Sequence, residues 1–142
     1  MQQINRLIEF LKCSNQIFVF TGAGVSTGSG IPDFRGPQGL WKTRQPVLFD
    51  DFMNSQGARD EYWEQKYEMW PLFRDATPNS VHQAIYHLER VGKVEMVVTQ
   101  NIDGLHRRAG TSDDRLVELH GTNSMVECMS CHRFTESGIH MD

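Results

Sequence analysis

The 142-residue sequence predicts one α/β domain with a parallel sheet and helices on both faces. Two short apolar segments, QIFVFTG at 16–22 and KVEMVVT at 93–99, have the composition of strands that are buried on both faces of such a sheet. Helical periodicity between them supplies the crossover that joins parallel strands. Strand, glycine-rich turn, helices and strand, in this order, are typical of an α/β fold.

The first dozen residues predict an amphipathic helix. Apolar side chains recur there at helical spacing, so we expect one stripe to pack on the core and the helix to end near Ser14. The residues of the stripe are Ile4, Leu7, Ile8 and Leu11. We assign this segment to packing.

The middle of the chain predicts further helices. Across residues 46–78 the pattern is mixed, and we expect two or three short helices because Pro71 interrupts a continuous one. A clearer helix begins at Ser80, whose spacing to Gln83 fits a capping box, and stops at Gly92.

Composition excludes several classes of function. The net charge is −4 and Lys and Arg are scattered, which argues against a nucleic-acid surface. No apolar run approaches the ~20 residues of a membrane helix, and the N-terminus does not have the pattern of a signal peptide. Three cysteines, two of them in a C-x-x-C pair, fit a reducing compartment. We therefore expect a cytoplasmic protein.

Three polar loops follow the predicted strands. GAGVS follows the first, TQNIDGLH follows the second, and His120-Gly121 follows a third, shorter strand predicted at 115–119. In an open parallel sheet the carboxyl ends of the strands form the ligand-binding edge. The three loops therefore predict one site.

The first loop favours a phosphate ligand. The turn of Gly22, Ala23 and Gly24 lets backbone N–H groups approach a ligand, although an ordinary strand-to-helix connection explains it equally well. The continuation SGIPDFRG adds Asp33, with Phe34 and Arg35, and this combination suits a loop that covers a charged, planar group. An Asp-Arg ion pair that stabilises the loop is the alternative.

The other two loops carry candidate polar ligands. Gln100, Asn101 and Asp103 suit binding of hydroxyls or amides, while Asx turns and helix capping explain Asn101 and Asp103 as well. We expect His106 on the solvent side of a short helix. His120, at a strand end, suits a general base near neutral pH, or else a structural hydrogen bond.

Together these motifs resemble the sirtuins, the NAD-dependent protein deacylases. GAGVSTGSGIPDFRG at 22–36, TQNIDGLHRRAG at 99–110, ELHG at 118–121 and the C-x-x-C stand in the order found in the family. The resemblance spans roughly residues 15–131. It implies a Rossmann-like sheet and NAD as a co-substrate.

The resemblance also implies roles for individual residues. The turn at 22–24, with Ser26, takes the pyrophosphate, and Asp33, Phe34 and Arg35 belong to a mobile lid at 31–41 over the nicotinamide ribose. Gln100, Asn101, Ile102 and Asp103 contact the ribose and the nicotinamide carboxamide, and His120 is the general base. Asn101 and Asp103 are thereby expected to assist catalysis.

The implied reaction transfers the acyl group of an acylated protein lysine to ADP-ribose. Its products are free lysine, nicotinamide and 2′-O-acyl-ADP-ribose. Sirtuins that prefer acidic acyl groups carry Tyr-x-x-Arg where this chain has Lys66 and Met69, so neutral groups such as acetyl are expected. His120 favours deacylation over NAD glycohydrolysis or ADP-ribosyl transfer. A truncated, inactive NAD-binding remnant or interaction module is the other alternative.

Cys128 and Cys131 have the spacing of one half of a four-thiolate zinc ribbon, which would begin near residues 122–142. A second pair is absent, and His132 and His140 replace it only in a geometry foreign to the family; a redox dithiol is another minority interpretation. We expect residues 1–142 to be a sirtuin-type catalytic domain, truncated at the C-terminus, with an incomplete sheet and marginal stability.

Overall fold

The computed structural model describes residues 2–37, 39–42 and 44–142. Gln38, within the predicted lid, lies outside the described residues. The α-helices are α1 Gln2–Cys13, α2 Phe49–Asn54, α3 Gln56–Asp75, α4 Ser80–Arg90, α5 Leu105–Ala109 and α6 Gly138–Met141. The strands are β1 Ile17–Thr21, β2 Val94–Thr99, β3 Leu116–Glu118, β4 Met125–Glu127 and β5 Phe134–Glu136. Short 3-10 helices lie at Ala23–Ser29, Leu40–Lys42 and Asp113–Arg115.

The described strands form two sheets. The larger is parallel, with the order β1-β2-β3, and the smaller is an antiparallel pair of β4 and β5. Ile17, Val94 and Val97 of the larger sheet pack with Ile85 of α4 in a buried cluster. The predicted α/β class and parallel sheet are confirmed.

The first strand differs from its prediction. Phe18 is 70% exposed and Phe20 is 64% exposed, whereas Ile17 and Thr21 are buried. Alternate side chains of a strand point to opposite faces, and β1 lies at the edge of the sheet, so only one face of β1 packs on the core. Burial on both faces was therefore wrong for β1.

Helix α1 ends where the sequence predicted, but its apolar stripe packs little. Ile4, Leu7 and Ile8 are exposed, and Leu11 alone of the stripe packs against the core cluster. The predicted burial of the stripe was wrong for these three residues.

Two helices of the middle region correct the sequence interpretation. Helix α3 is 20 residues long and continues past Pro71 to its end at Asp75. A proline near the end of a helix removes one backbone hydrogen bond without preventing the last turn. The N-cap of α4 is Asn79, whose carboxamide accepts from the N–H of Val81, and His82 completes the capping box. The predicted Ser80 and Gln83 pair does not form it.

Candidate functional site

The ends of the parallel strands bring the three predicted loops together. Thr99 pairs with Thr21 on one side and with Glu118 on the other. The N–H of Gln100 then donates to the carbonyl of Thr21 at 3.0 Å, and Leu119 N–H donates to the carbonyl of Thr99 at 2.9 Å. Residues that follow the three strands are therefore neighbours in space.

The glycine turn presents an open backbone. Gly22 is extended, and a Cβ added at Gly22 or Gly24 meets no atom within 4 Å. A 3-10 helix continues from it at Ala23–Ser29. Open space beside a glycine backbone is what close approach of a phosphate requires, so the turn fits a pyrophosphate.

A hydrogen-bond network connects the first loop to the second. Nδ2 of buried Asn101 donates to the carbonyl of Gly22 and to Ser26 Oγ, both at 3.1 Å. Ser26 Oγ in turn donates to Asp103 Oδ2 at 2.6 Å. Asp103 Oδ1 also accepts from the N–H of Leu105, which is the Asx turn that the sequence left open. Asn101 and Asp103 thus hold the glycine turn in place.

The DFRG loop closes on itself. Asp33 Oδ1 accepts from the N–H of Gly36 at 2.9 Å, and a Cβ at Gly36 would lie 2.2 Å from Asp33 Oδ2. A Cβ at Gly39 would lie 2.4 Å from the carbonyl oxygen of Phe34. Gly39 is therefore required by close packing against the backbone, whereas a side chain at Gly36 would displace the Asp33 carboxylate.

A cleft of about 490 Å³, which we call the sheet-edge cleft, lies among these loops. Its lining residues come from all three loops: Ala23, Asp33, Phe34, Arg35, Gly36, Gln100, Asn101, Ile102 and His120. Ser26 and Asp103 line a smaller cavity beside it. The structure thus brings predicted site residues from all three loops to one place.

His120 has a defined hydrogen-bonding state. Its Nδ1 lies 3.0 Å from the carbonyl oxygen of Gln100. A carbonyl oxygen only accepts, so Nδ1 carries the proton and Nε2 of the neutral ring keeps a lone pair. His120 also lines a second cavity, of about 500 Å³, which lies between α3 and the β4–β5 hairpin. We call this cavity the module groove. This geometry places the His120 imidazole where the two cavities meet.

Two histidines lie beneath the site, and sequence reasoning missed both. His106 is 2% exposed, which contradicts its predicted solvent position, because α5 turns this side chain onto the sheet. Its Nε2 lies 2.9 Å from Thr21 Oγ1, which donates to Thr99 Oγ1 at 2.8 Å. Burial, with neighbouring His82, lowers the pKa of His106 to about 4. Both rings are therefore neutral near pH 7, since burial lowers the pKa of His82 as well.

The two rings meet edge to face, with centroids 4.9 Å apart. His82 Nδ1 accepts from the N–H of Asn79, and Asn79 Nδ2 donates to the carbonyl of Val25 at 2.7 Å. The capping residues of α4 thereby support the 3-10 helix that follows the glycine turn. The three-residue spacing from Asn79 to His82, which is that of a capping box, was the sequence signal that could have revealed the contact between these two residues.

The C-x-x-C pair lies in the exposed turn between β4 and β5. Backbone hydrogen bonds from Ser130 and Cys131 lower the pKa of the Cys128 thiol. The two histidines of the minority alternative make other contacts, since His132 Nδ1 lies 2.8 Å from Glu127 Oε1 and His140 Nε2 lies 2.7 Å from Thr135 Oγ1. No group of three or more metal-binding side chains that could hold an ion occurs within the described residues.

The geometry is that of an α/β protein with a ligand cleft at the carboxyl edge of a parallel sheet. Residues 22–141 match the model of the Sir2 family. The chain therefore belongs to the Sir2 family, the sirtuins, as the sequence motifs predicted.

Curated relatives and solved structures agree with this assignment to the Sir2 family. The chain is 44% identical over 128 residues to an NAD-dependent protein deacetylase of Rhodopseudomonas palustris, which covers 90% of this chain and 51% of the relative. NAD-dependent protein deacetylase 1 of Bradyrhizobium diazoefficiens is also 44% identical, over 90% of this chain and 50% of its own. The chain thus spans about half the length of the curated relatives it matches.

Two solved structures show the same fold. A Sir2 homolog–NAD complex superposes with a TM-score of 0.77 at 36% identity, covering 93% of this chain and 51% of its own. A Sir2 complex with a p53 peptide and NAD⁺ gives 0.82 at 34% identity, covering 96% and 53%. None of the described helices of the present chain has the length and apolar character needed to cross a bilayer.

Proposed function

We propose that this chain serves NAD-dependent deacylation of protein lysine side chains, which yields nicotinamide, free lysine and 2′-O-acyl-ADP-ribose. The observation that carries the proposal is the position of His120, a base with a free Nε2 where the sheet-edge cleft meets the module groove. The names of the relatives and the NAD and peptide complexes of the Sir2 structures support it.

The residues of the sheet-edge cleft fit NAD. The open backbone of Gly22, Ala23 and Gly24 would hold the pyrophosphate, with Ser26 supporting the turn from beneath. Phe34, Arg35 and Gln100–Asp103 would surround the nicotinamide ribose. When bound, NAD supplies an electrophilic ribose carbon and loses nicotinamide.

The residues of this chain then orient the reactants and move a proton. His120 Nε2 accepts a proton from a ribose hydroxyl, and the bond from Nδ1 to Gln100 stabilises the resulting imidazolium. Phe34 would help to exclude water from the reacting carbon. Asn101 and Asp103 keep the loops of the cleft in register.

Cys128 and Cys131 would contribute two thiolates to a structural zinc site in the β4–β5 hairpin. We propose an acylated protein or peptide as the partner, with no direct role for nucleic acid or membrane. The free thiols favour a cytoplasmic location.

The test is nicotinamide release from NAD by the purified chain, with and without an acetyl-lysine peptide. Peptide-dependent release, with formation of deacylated peptide that is lost in His120→Ala, supports the proposal. His87→Ala, which removes an exposed histidine of α4, is the matched control. Peptide-independent release indicates NAD glycohydrolysis or ADP-ribosyl transfer, and absence of release indicates a non-catalytic module; either result overturns the proposal.

A further inference from the structure

The 3-10 helix Ala23–Ser29 carries the glycine turn of the sheet-edge cleft, and we call it the turn helix. The N-cap residue of α4, Asn79, bonds to it at two points. Nδ2 of Asn79 donates to the carbonyl of Val25 at 2.7 Å and to Ser29 Oγ at 3.0 Å. These partners lie 54 and 50 residues from Asn79 in the sequence. One distant carboxamide therefore holds two positions of the turn helix.

The orientation of the Asn79 carboxamide is fixed from both ends. Its Oδ1 accepts from the N–H of Val81 at 2.9 Å and so caps α4, which leaves Nδ2 as the end that faces the turn helix. The N–H of Asn79 donates to Nδ1 of buried His82 at 3.3 Å, which holds the backbone from which the carboxamide extends. An amide is donor and acceptor on one planar group, so a single side chain serves both the cap and the turn helix.

The turn helix packs closely on this carboxamide. A Cβ added at Gly28 would lie 3.2 Å from Asn79 Nδ2, so the backbone of Gly28 approaches the side chain at close range. Val25, Ser29 and Asn79 are each half-buried. The two hydrogen bonds of Nδ2 are therefore partly shielded from water, which strengthens them relative to bonds on an open surface.

We propose that Asn79 is a positioning residue for NAD, because its carboxamide fixes the turn helix and so holds the glycine turn ready for the pyrophosphate. The inference rests on the proposed function. Asn79 lines neither the sheet-edge cleft nor the smaller cavity beside it, so it acts on the ligand through the turn helix. A segment that is already ordered loses less conformational entropy when a ligand binds, and the bonds of Asn79 thereby raise the affinity for NAD.

The test removes these bonds from either side and leaves the helix cap in place. Asn79→Ser keeps an N-cap side chain on α4, since serine and asparagine are comparable caps, but lacks the amide that reaches the turn helix. Ser29→Ala removes one acceptor of the same amide and leaves the cap untouched. Ser55→Ala is the matched control, because Ser55 caps α3 and does not line the cleft. Calorimetry with the full chain gives the dissociation constant of NAD, and KM for NAD and kcat are measured in parallel.

We expect Asn79→Ser to bind NAD about fivefold or more weakly, as for the loss of one or two hydrogen bonds. Ser29→Ala should have a smaller effect, because the bond to Val25 remains. The double variant should bind no more weakly than Asn79→Ser, since Asn79 and Ser29 are partners in one interaction. KM for NAD should rise with little change in kcat, because the groups that touch the reacting atoms are unaltered.

Three results of the NAD titration overturn the inference. They are an unchanged affinity in Asn79→Ser, an equal loss of affinity in Ser55→Ala, and no NAD binding by the unmodified chain. If circular dichroism and urea unfolding show that Asn79→Ser does not fold, Ser29→Ala decides: weaker NAD binding than in the unmodified chain supports the inference, and equal binding overturns it.

Hydrogen exchange of the ligand-free chain distinguishes positioning from capping. If Asn79 positions the turn helix, exchange in Asn79→Ser should rise within residues 23–30 while α4 stays protected. Faster exchange confined to α4 indicates that Asn79 acts as a cap alone and overturns the inference.

The outcomes also separate this inference from the proposed function. NAD binding that depends on Asn79, without turnover of an acetyl-lysine peptide, supports the positioning role and rejects the deacylase function. Peptide turnover with an unchanged KM for NAD in Asn79→Ser leaves the deacylase function standing and rejects the role of Asn79.

Discussion

His120 Nδ1 donates to the carbonyl oxygen of Gln100 at 3.0 Å, so the loop that follows β2 orients the imidazole that follows β3. His120→Asn offers an amide N–H in place of Nδ1–H and has no group that accepts a proton near neutral pH. We expect His120→Asn to form at least ~100-fold less deacylated peptide than the unmodified chain. Its stability should change little, because the His120 ring is exposed. Product formation is followed by mass spectrometry. Retained deacylation in His120→Asn contradicts the role of the base.

The bond between Ser26 and Asp103 predicts a stability effect. Ser26→Ala removes the donor to Asp103 Oδ2 and the acceptor for Asn101 Nδ2 within a buried network. We expect the free energy of unfolding to fall by about 1–3 kcal/mol. Urea unfolding measures it, and Thr27→Ala, which removes an exposed hydrogen bond, is expected to cost much less. Equal effects of the two substitutions would argue against the network.

The buried histidines predict acid sensitivity. The pKa of His106 in the folded chain is about 4, below the ordinary value of 6.5, so the unfolded chain takes up a proton first as the pH falls. Stability is therefore complete above about pH 6.5 and declines towards pH 4, by up to ~3 kcal/mol from this group. Chemical unfolding across this range measures the slope. His106→Gln should flatten it and exposed His87→Gln should not.

Two glycines of the site predict opposite phenotypes. Gly24→Ala places a methyl group in open space beside the proposed phosphate position, so we expect normal stability and at least ~10-fold weaker NAD binding. Gly39→Ala places it 2.4 Å from the carbonyl oxygen of Phe34, so we expect loss of stability first. Thermal unfolding and NAD titration of both variants distinguish these effects. Unchanged NAD affinity in Gly24→Ala would contradict the pyrophosphate assignment.

The exposed apolar side chains predict self-association of the 142-residue chain. Phe18 and Phe20 on one face of β1, and Ile4 and Leu7 on α1, present large apolar groups to solvent. We expect light scattering after gel filtration to show aggregates, and Phe20→Thr to raise the monomer fraction more than Val91→Thr, which removes an exposed apolar group at the end of α4. A monomer with cooperative unfolding well above room temperature would contradict this expectation.

Local patterns predicted the sheet and the loops, because strands and glycine turns depend on neighbours in sequence. Long-range packing decided the rest. His106 looked exposed by its short helix but is buried by contact with Thr21, which is 85 residues away. Such features arise from tertiary contacts that no local period encodes.

The hydroxyls of Thr21 and Thr99 meet across 78 residues of sequence, at the base of the first two loops of the candidate site. Contacts of such separation form slowly, because the entropy of closing a long loop is lost before the contact is gained. Ligand binding should therefore appear only in the last kinetic phase of refolding, after the helices have formed, and would report completion of the sheet.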